Sequence, residues 1–310
     1  MEKFTVDDLE KKLIDELASH SKEYRRAFHG RGECYEGFEF LIVDFIDTTL
    51  YIAFYSSIDE QLEKELLELF KRLYEKQIFK AVILQRRYLQ QQPNQVLFGM
   101  LPTEVVAFEN ELKYQLNMVS NQNIGFFADM KEGRAFVKDE AKDKNVLNLF
   151  SYTCAFSVSA LAGNASKVVN VDMAKGALTT GRHNHHINDL DTKKVKFLPY
   201  NILKSWNRIQ KEGPYDLIII DPPSFQKGSF AASKDYIKII KRLDKLASKT
   251  CTVLACLNAP ELTTQFLKEI FQEHAPSFDF TKRLDNPKEF PSVNKERSLK
   301  NLIFTRCFHE

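Results

Sequence analysis

The sequence predicts an α/β fold in which a small α+β domain precedes a seven-stranded, mostly parallel sheet. Three observations predict it. From residue 146 onward, short β-rich runs alternate with segments of helical periodicity. Two further β-rich runs close the chain with no helix between them, and the region before residue 120 orders its segments differently.

Five β-rich runs lie between residues 146 and 257, and each is followed by a segment of helical periodicity. They are VLNLF (146–150), KVVNV (167–171), KVKFL (194–198), YDLIII (215–220) and CTVLACL (251–257). Strands that alternate with helices form a parallel sheet covered on both faces. We therefore expect five parallel strands here.

The last two runs are FDFTKRL (278–284) and LKNLIFTRCF (299–308), joined by a proline-containing, charged connection. Consecutive strands without an intervening helix usually pair antiparallel. We therefore expect a C-terminal hairpin that joins the sheet and brings it to seven strands.

The region before residue 146 predicts a separate α+β domain. A polar helical stretch covers roughly residues 5–28, and a second helical pattern covers 58–76. The β-rich runs around them are FEFLIVDFI, TTLYIAFYSS, KAVILQ, EVVAFEN and KYQLNM. No glycine- or serine-rich linker follows. We assign residues 1–30 to an N-terminal helical segment, 31–120 to the small α+β domain and 121–310 to the sheet domain.

Composition limits the possible classes of protein. The 310 residues are 44% hydrophobic, enough for a core, and the net charge of +2 does not by itself indicate a polyanionic partner. The longest apolar stretches are shorter than a membrane span, and the acidic N-terminus resembles no targeting signal, so we expect a cytoplasmic protein without a membrane partner. Five scattered cysteines without a CxxC pair predict reduced thiols and no metal.

The turn after the first parallel strand indicates an adenosine ligand. In doubly wound sheets, ligands lie where this turn meets the end of the second strand, and Asp172 ends that strand. An acidic side chain there accepts hydrogen bonds from ribose hydroxyls. The turn itself, residues 151–155, lacks the glycines that admit a pyrophosphate, so S-adenosylmethionine suits it better. Alternatively, Asp172 is only the N-cap of a helix that begins at Ala174.

The segment DPPSF (221–225) follows the fourth strand and predicts a site for a planar base. Pro222 and Pro223 have no N–H and restrict the backbone, so that carbonyl groups can point into the cleft. Asp221 and the Pro222 carbonyl can accept hydrogen bonds from a base edge, while Phe225 offers a stacking face. Alternatively, the two prolines form only a rigid turn that ends the strand.

Four segments together resemble the class I methyltransferases of the RlmI/RlmK type, which methylate large-subunit ribosomal RNA from S-adenosylmethionine. They are LNLFSYTCAFSVSALAGNASKVVNVDMAKGAL, GRHNHHIN, DLIIIDPPSF and LDNPKEF…ERSLKNLIF. The resemblance covers most of the chain. It implies a Rossmann-like class I methyltransferase fold, S-adenosylmethionine as cofactor, RNA as partner and a substrate-recognition role for residues 31–120.

The resemblance also implies site residues. Those at the cofactor are Lys131, Phe150, Ser151, Tyr152, Thr153, Cys154, Ala155, Asp172, Met173, Asn201, Ile202 and Asp221. Those at the reaction site are Asp221, Pro222, Pro223 and Phe225. Three positions depart from the family pattern: Cys154 replaces a glycine, Asn201 replaces an acidic residue, and Ser224 precedes the aromatic residue. We expect Cys154 to change how the methionine tail is held, and Asn201 to bond the adenine amine.

Which atom is methylated depends on whether a cysteine stands at the position of the nucleophile. Methylation at C5 of cytosine needs a thiolate, which in the RlmI branch follows the fifth strand. Here Cys256 falls one residue short and Leu257 takes the position of the nucleophile. A shift of one residue on a strand reverses the side chain's direction. We interpret Cys256 as a core thiol and favour a guanine ring nitrogen as the target.

Basic and aromatic residues alternate between residues 71 and 87, a mixture that RNA contact requires, and we predict RNA binding by Arg86 and Arg87. The histidines at 183, 185 and 186 are expected to form a polar helix face. The leading function is RNA methylation. Two alternatives stay open: methylation of a protein or small molecule, and a non-catalytic RNA-binding or assembly factor that keeps the cofactor pocket.

Overall fold

The computed structural model describes residues 4–18, 21–89, 94–118, 123–226 and 230–307. The chain forms two compact units. The first comprises Met1–Ala128 and Pro287–Val293, and the second comprises Asp129–Asn286 and Asn294–Glu310. The domain boundary predicted at residue 120 lies outside the described residues and stays a prediction.

The first unit contains a five-stranded sheet with the strand order β1-β2-β3-β4-β5. Its elements are α1 (Val6–Leu17), β1 (Arg25–His29), β2 (Leu41–Ile46), β3 (Thr49–Phe54), α2 (Glu60–Glu75), β4 (Ala81–Arg86) and β5 (Gln95–Gly99). Helix α2 connects β3 to β4, which are parallel, and the other neighbours are antiparallel. A separate hairpin pairs β6 (Val105–Glu109) with β7 (Leu112–Leu116).

The N-terminal helical prediction is wrong in its extent. Helix α1 ends at Leu17, and Arg25–His29 form strand β1 instead of a continuing helix. The helix is well specified at its start, where Thr5 and Asp8 form a capping box. Strand β1 depends on distant residues: Arg26 pairs with Asp44 of β2, and Phe28 enters the core. These contacts override the local helical pattern.

The second unit contains the seven-stranded sheet, with the order β10-β9-β8-β11-β14-β16-β15. Its elements are α3 (Lys131–Glu140), β8 (Asn145–Leu149), α4 (Ala155–Ala162), β9 (Lys167–Val171), α5 (Lys175–His186), β10 (Val195–Leu198), α6 (Trp206–Gln210), β11 (Tyr215–Ile220), β12 (Phe225–Gln226), β13 (Phe230–Ala231), α7 (Ala232–Ile240), α8 (Leu243–Leu246), β14 (Ala247–Leu257), α9 (Thr264–His274), β15 (Asp279–Leu284) and β16 (Lys300–Cys307). The first five sheet strands are parallel, and β16 pairs antiparallel with β14 and β15. The predicted fold class is confirmed.

The seven-stranded sheet is buried on both faces, which explains why its central strand is a continuous apolar run. On β11, Ile218 and Ile220 enter one hydrophobic cluster, whereas Leu217 and Ile219 enter the other. Each fully buried side chain of this size stabilises the fold by about 1.5–3 kcal/mol. Over the described ranges, no helix is long and apolar enough to cross a membrane.

Candidate functional site

The carboxyl ends of four adjacent parallel strands form one edge of the second unit's sheet. In the registers of β10-β9-β8-β11, Leu149 lies between Val171 and Ile220, and Val171 also lies beside Leu198. The segments that follow these strand ends therefore begin side by side. They contain all the predicted cofactor residues except Lys131, which begins α3, and all the predicted reaction-site residues.

The loop after β8 follows an unusual backbone path. Phe150, Tyr152 and Cys154 have φ values of 59°, 45° and 61°, in the left-handed region that non-glycine residues seldom adopt. Two backbone hydrogen bonds hold the loop: the Ser151 N–H donates to Val171 O (3.2 Å), and the Cys154 N–H donates to Ser151 O (2.7 Å). Each left-handed residue costs about 1–2 kcal/mol, so surrounding contacts must stabilise the loop.

Asp172 ties this loop to the end of β9. Its Oδ2 accepts from the Tyr152 N–H and its Oδ1 from the Ala174 N–H, both at 2.8 Å. Helix α5 begins only at Lys175, so Asp172 is not its N-cap. A carboxylate has about four lone-pair sites, and these two bonds leave acceptor capacity on both oxygens. The half-buried Asp172 can therefore order the loop and still accept bonds from a ligand.

Cys154 packs against α5. Its side chain is fully buried, and a Cβ atom built on Gly181 would lie 2.4 Å from the Cys154 sulfur. Burial raises the pKa of this thiol. The adjacent Thr153 carbonyl accepts a hydrogen bond from the Asn184 amide at 3.0 Å. The loop is thus fastened to α5, and the absence of a side chain at Gly181 makes room for the cysteine.

A chain of buried polar side chains lies in the core of the same unit. The Asn148 amide donates to Asn170 Oδ1, the Asn170 amide donates to Ser157 Oγ, and Ser157 Oγ lies close to His185 Nε2, each at 2.9 Å. His185 Nδ1 lies 2.7 Å from Gly181 O, so Nδ1 carries the proton and Nε2 accepts from Ser157. Burial lowers the pKa of His185 to about 4. His185 is a neutral core group, in contrast to the predicted polar face.

Asp221 follows directly after β11 and is half-buried. Burial and the nearby Asp129 carboxylate raise its pKa to about 7, and Arg134 opposes the shift. Asp129 and the buried Arg134 are neighbours that sequence reasoning missed, because they precede β8 and only the fold brings them close. The single available signal was their position on either side of Lys131 in the segment DMKEGR.

The prolines and the aromatic residue of DPPSF have different surroundings. Pro222 is buried and Pro223 is half-buried, whereas the Phe225 side chain is 70% exposed. Phe225 begins the short hairpin of β12 and β13 and pairs with Ala231. An exposed ring in this position is available to a planar ligand.

The remaining predicted cofactor residues differ in their burial and their contacts. Asn201 Oδ1 accepts from the Lys204 N–H at 3.2 Å and caps a short helical turn, while Ile202 is buried in the core. Met173 is 48% exposed beside Asp172. Lys131 is half-buried at the start of α3. The roles assigned to these side chains stay predictions.

Cys256 lies in the hydrophobic core. Its side chain is 1% exposed and belongs to one cluster, whereas Leu257 belongs to the cluster on the other face of the sheet. Burial and the Asp221 carboxylate raise the pKa of Cys256 well above its usual range. The Tyr236 hydroxyl lies 3.0 Å from the Cys256 carbonyl oxygen.

Arg86 and Arg87 lie in the first unit and differ in their surroundings. Arg86 forms an ion pair with Glu63 of α2, and its Nη1 donates to Gln95 at 2.8 Å. Arg87 donates to the amide oxygens of Gln85 at 3.3 Å and Asn123 at 3.0 Å. Their predicted RNA contact stays a prediction.

Comparison with known proteins identifies relatives. A family model described as S-adenosylmethionine-dependent methyltransferase matches residues 25–305. YwbD of Bacillus subtilis, provisionally named a ribosomal RNA large subunit methyltransferase, is 28% identical over 87% of this chain and 70% of its own length. Ribosomal RNA large subunit methyltransferase I of Alteromonas mediterranea is 37% identical over 42% of this chain. That match spans 33% of the relative's length.

Solved structures extend the likeness to the whole fold. The crystal structure of SMU.776, provisionally described as a methyltransferase and complexed with SAH, has a TM-score of 0.85 and 26% identity, covering 98% of this chain and 83% of that one. A tRNA m1G37 methyltransferase of M. jannaschii has a TM-score of 0.61 at 14% identity over 88% of this chain and 78% of that one. The latter likeness concerns the fold alone.

Proposed function

The chain belongs to the S-adenosylmethionine-dependent methyltransferase family, and from this premise we propose that it methylates large-subunit ribosomal RNA at a guanine ring nitrogen. The enzyme class and the cofactor follow from the family. The RNA substrate is supported by the names of the relatives and by the chemistry of the DPPSF segment. The cysteines and Asp221 support a guanine ring nitrogen as the methylated atom.

The residues at the sheet edge fit the cofactor. Asp172 has acceptor capacity on both carboxylate oxygens for ribose hydroxyls, and the loop of residues 150–155 meets it through the Tyr152 N–H. We propose that Met173, Asn201 and Ile202 surround the adenine, and that Lys131 faces the methionine carboxylate. When bound, S-adenosylmethionine supplies an activated methyl group.

The exposed ring of Phe225, four residues after Asp221, is the observation that supports a nucleobase as the substrate. A ring that is 70% exposed at the edge of a methyltransferase site offers a stacking platform, and stacking on aromatic side chains is how unpaired RNA bases are commonly held. Asp221 and the Pro222 carbonyl supply acceptors. Guanine presents two adjacent N–H donors on its pairing edge, which a carboxylate complements, whereas cytosine presents only one.

The positions of the cysteines argue against C5 of cytosine as the methylated atom. In the second unit, Cys154, Cys251 and Cys256 are all buried, and burial raises the pKa of each thiol. Cys307 pairs with Thr250, near the start of β14, at the opposite edge of the sheet from Asp221. A C5 methyltransferase needs a reactive thiolate beside the base. The core position of Cys256 therefore favours a ring nitrogen as the acceptor.

On this proposal the enzyme acts mainly by positioning. A ring nitrogen that carries no proton, such as N7 of guanine, uses its own lone pair, so no residue has to remove a proton from the base or form a covalent bond to it. Asp221 and Pro222 orient the base edge and Phe225 holds its plane. Orientation of this kind contributes up to about 7–11 kcal/mol in well-positioned reactions.

The test is methyl transfer to ribosomal RNA from a strain that lacks the gene. The purified protein is incubated with methyl-labelled S-adenosylmethionine, and the modified position is mapped in the RNA. We expect label in large-subunit RNA, on guanine. Label on cytosine would refute the target atom. Label only on protein or a small molecule, or cofactor binding in calorimetry without transfer to any RNA, would refute the RNA substrate.

A further inference from the structure

In the first unit, two arginines lie against one tyrosine ring. The guanidinium carbon of Arg31 is 4.0 Å from the centre of the Tyr55 ring, and that of Arg87 is 5.1 Å from it. We call these three residues the Tyr55 cluster. Arg31 lies in the short helical turn after β1, Tyr55 follows β3, and Arg87 follows β4. The three come from separate parts of the sequence and meet only in the fold.

The alternation of side chains along the strands explains the cluster. On β3, Leu50, Ile52 and Phe54 enter the hydrophobic cluster of this unit, so Tyr51 and Tyr55 point to the other face. The ladder continues beyond the strand ends, because the Tyr55 N–H donates to Phe40 O at 2.8 Å and the Arg87 N–H donates to Phe54 O at 2.7 Å. Backbone pairing therefore fixes Tyr55 and Arg87 on the sheet.

The same alternation separates Arg87 from Arg86. Arg86 points to the side of α2, where Glu63 balances its charge. Arg87 lies with Tyr55 and donates a hydrogen bond to the side-chain oxygen of Gln85, two residues before it. The two consecutive arginines thus point to opposite sides of the sheet, and Arg87 is the one that lies in the cluster.

The charge around the cluster favours an anion. Arg31 is exposed, and it forms no ion pair with any carboxylate among the described residues. The buried Asp44 on the same face is already occupied, since Arg26 forms an ion pair with it and the Tyr24 hydroxyl donates to it at 2.7 Å. Two guanidinium groups near one ring repel each other, and a phosphate placed between them relieves the repulsion.

We propose that the Tyr55 cluster binds single-stranded RNA, with Arg31 and Arg87 contacting phosphates and the half-exposed Tyr55 ring stacking on an unpaired base. Arginine with an aromatic ring is the combination that single-stranded RNA sites use, since phosphates need cations and every base has a stacking face. The proposal rests on RNA as the substrate and assigns a binding surface to it. It replaces Arg86 with Arg31 and Tyr55 as the contacts beside Arg87.

The test measures the RNA affinity of the 310-residue chain. The probe is a fluorescein-labelled single-stranded RNA of about 16 nucleotides, titrated by anisotropy between about 50 and 200 mM salt. We expect Arg31→Gln to lower the slope of log affinity against log salt by about 1. Tyr55→Ala should weaken binding about tenfold, and Tyr55→Phe, which keeps the ring, should bind as the parent protein does.

The matched control is Arg72→Gln, which removes one positive charge from α2 of the same unit. Arg72 forms an ion pair with Glu10, so we expect its loss to change RNA affinity less than about twofold. Cofactor affinity, measured by calorimetry, should be the same in all four variants. Arg31 is exposed, so Arg31→Gln decides the question even if Tyr55→Ala fails to fold.

The outcomes separate this proposal from the proposed function. If the parent protein methylates ribosomal RNA but Arg31→Gln and Tyr55→Ala both bind the probe as the parent does, the cluster is not an RNA site and the enzyme assignment stands. If Arg31→Gln and Arg72→Gln weaken RNA binding equally, the Tyr55 cluster is likewise not an RNA site. Binding that depends on the cluster, without methyl transfer to any RNA, would support the cluster and overturn the substrate.

Discussion

Asp221 is a half-buried carboxyl group with a pKa raised to about 7 by burial and by Asp129. Only its ionised form can accept two hydrogen bonds from an N–H edge. The ionised fraction increases as pH rises through the folded-state pKa, so activity that needs the carboxylate increases in the same direction.

We therefore expect kcat/KM for RNA methylation to rise between about pH 6 and 8, with its midpoint near 7. Asp221→Asn should remove this dependence and lower the rate about 100-fold, with a smaller effect on cofactor affinity. Rates measured under single-turnover conditions across this range check the prediction. A flat profile for the unmodified enzyme would contradict it.

Cys154 has a left-handed backbone conformation, which favours glycine at this position. Its side chain is buried, so a substitution that shortens it loses packing contacts. Glycine adopts this backbone without strain, whereas alanine keeps the strain of about 1–2 kcal/mol. We expect Cys154→Gly to be at least as stable as Cys154→Ala in urea unfolding. As a control, Ala160→Gly in the regular, buried part of α4 should cost about 1 kcal/mol, because glycine is unfavourable there. If glycine destabilises the protein relative to alanine by a similar amount at residues 154 and 160, the backbone of Cys154 is not strained.

At the scale of elements, the buried polar chain joins β8, β9, α4 and α5. Its end, His185, has a folded-state pKa of about 4, below the usual value of 6.5. Between these values the unfolded state binds more protons than the folded state. Stability contributed by neutral His185 is therefore present above pH 6.5 and is lost as pH falls toward 4.

We expect the free-energy cost of His185→Gln to be largest near neutral pH, about 1–3 kcal/mol. The cost should shrink by about 1.4 kcal/mol per pH unit below 6.5, because the unmodified protein loses stability there and the variant does not. Denaturant unfolding at several pH values measures it. His186→Gln, which alters an exposed side chain on the same helix, serves as the control. A cost that does not vary with pH would contradict the assignment.

At the scale of the whole molecule, the chain leaves the second unit at Asn286, contributes residues 287–293 to the first unit and returns at Asn294. Within the first unit, Val293 N–H donates to Gly32 O at 2.9 Å, and Phe290 packs on His29 with ring centres 5.1 Å apart. A Cβ atom on Gly32 would lie 1.7 Å from the Pro291 carbonyl oxygen. Only glycine permits this approach.

We expect Gly32→Ala to detach residues 287–293 and to speed hydrogen exchange at the Val293 amide by at least tenfold. A backbone oxygen cannot move aside as a flexible side chain does, so the segment itself must shift. Hydrogen exchange followed by mass spectrometry measures the effect. Gly176→Ala is the control, since nothing lies within 4 Å of a Cβ atom there. Unchanged exchange at Val293 in Gly32→Ala would show that the segment tolerates the side chain.

The sequence by itself determined the order of the second unit's strands along the chain and the residues at their ends. Parallel strands buried on both faces are continuous apolar runs, so the polar residues Asp172 and Asp221 mark where those runs end. The bounds of KVVNV and YDLIII match β9 and β11 residue for residue. Local pattern was sufficient because each of these signals lies within a few residues.

The tertiary structure alone decided which side chains meet. It made Arg25–His29 a strand through pairing with β2, placed Asp129 and Arg134 near Asp221, and put Arg31 and Arg87 against Tyr55. These contacts join residues that are distant in sequence. Their partners supply the burial, charge and pairing that set each local environment, and a linear pattern contains none of that information.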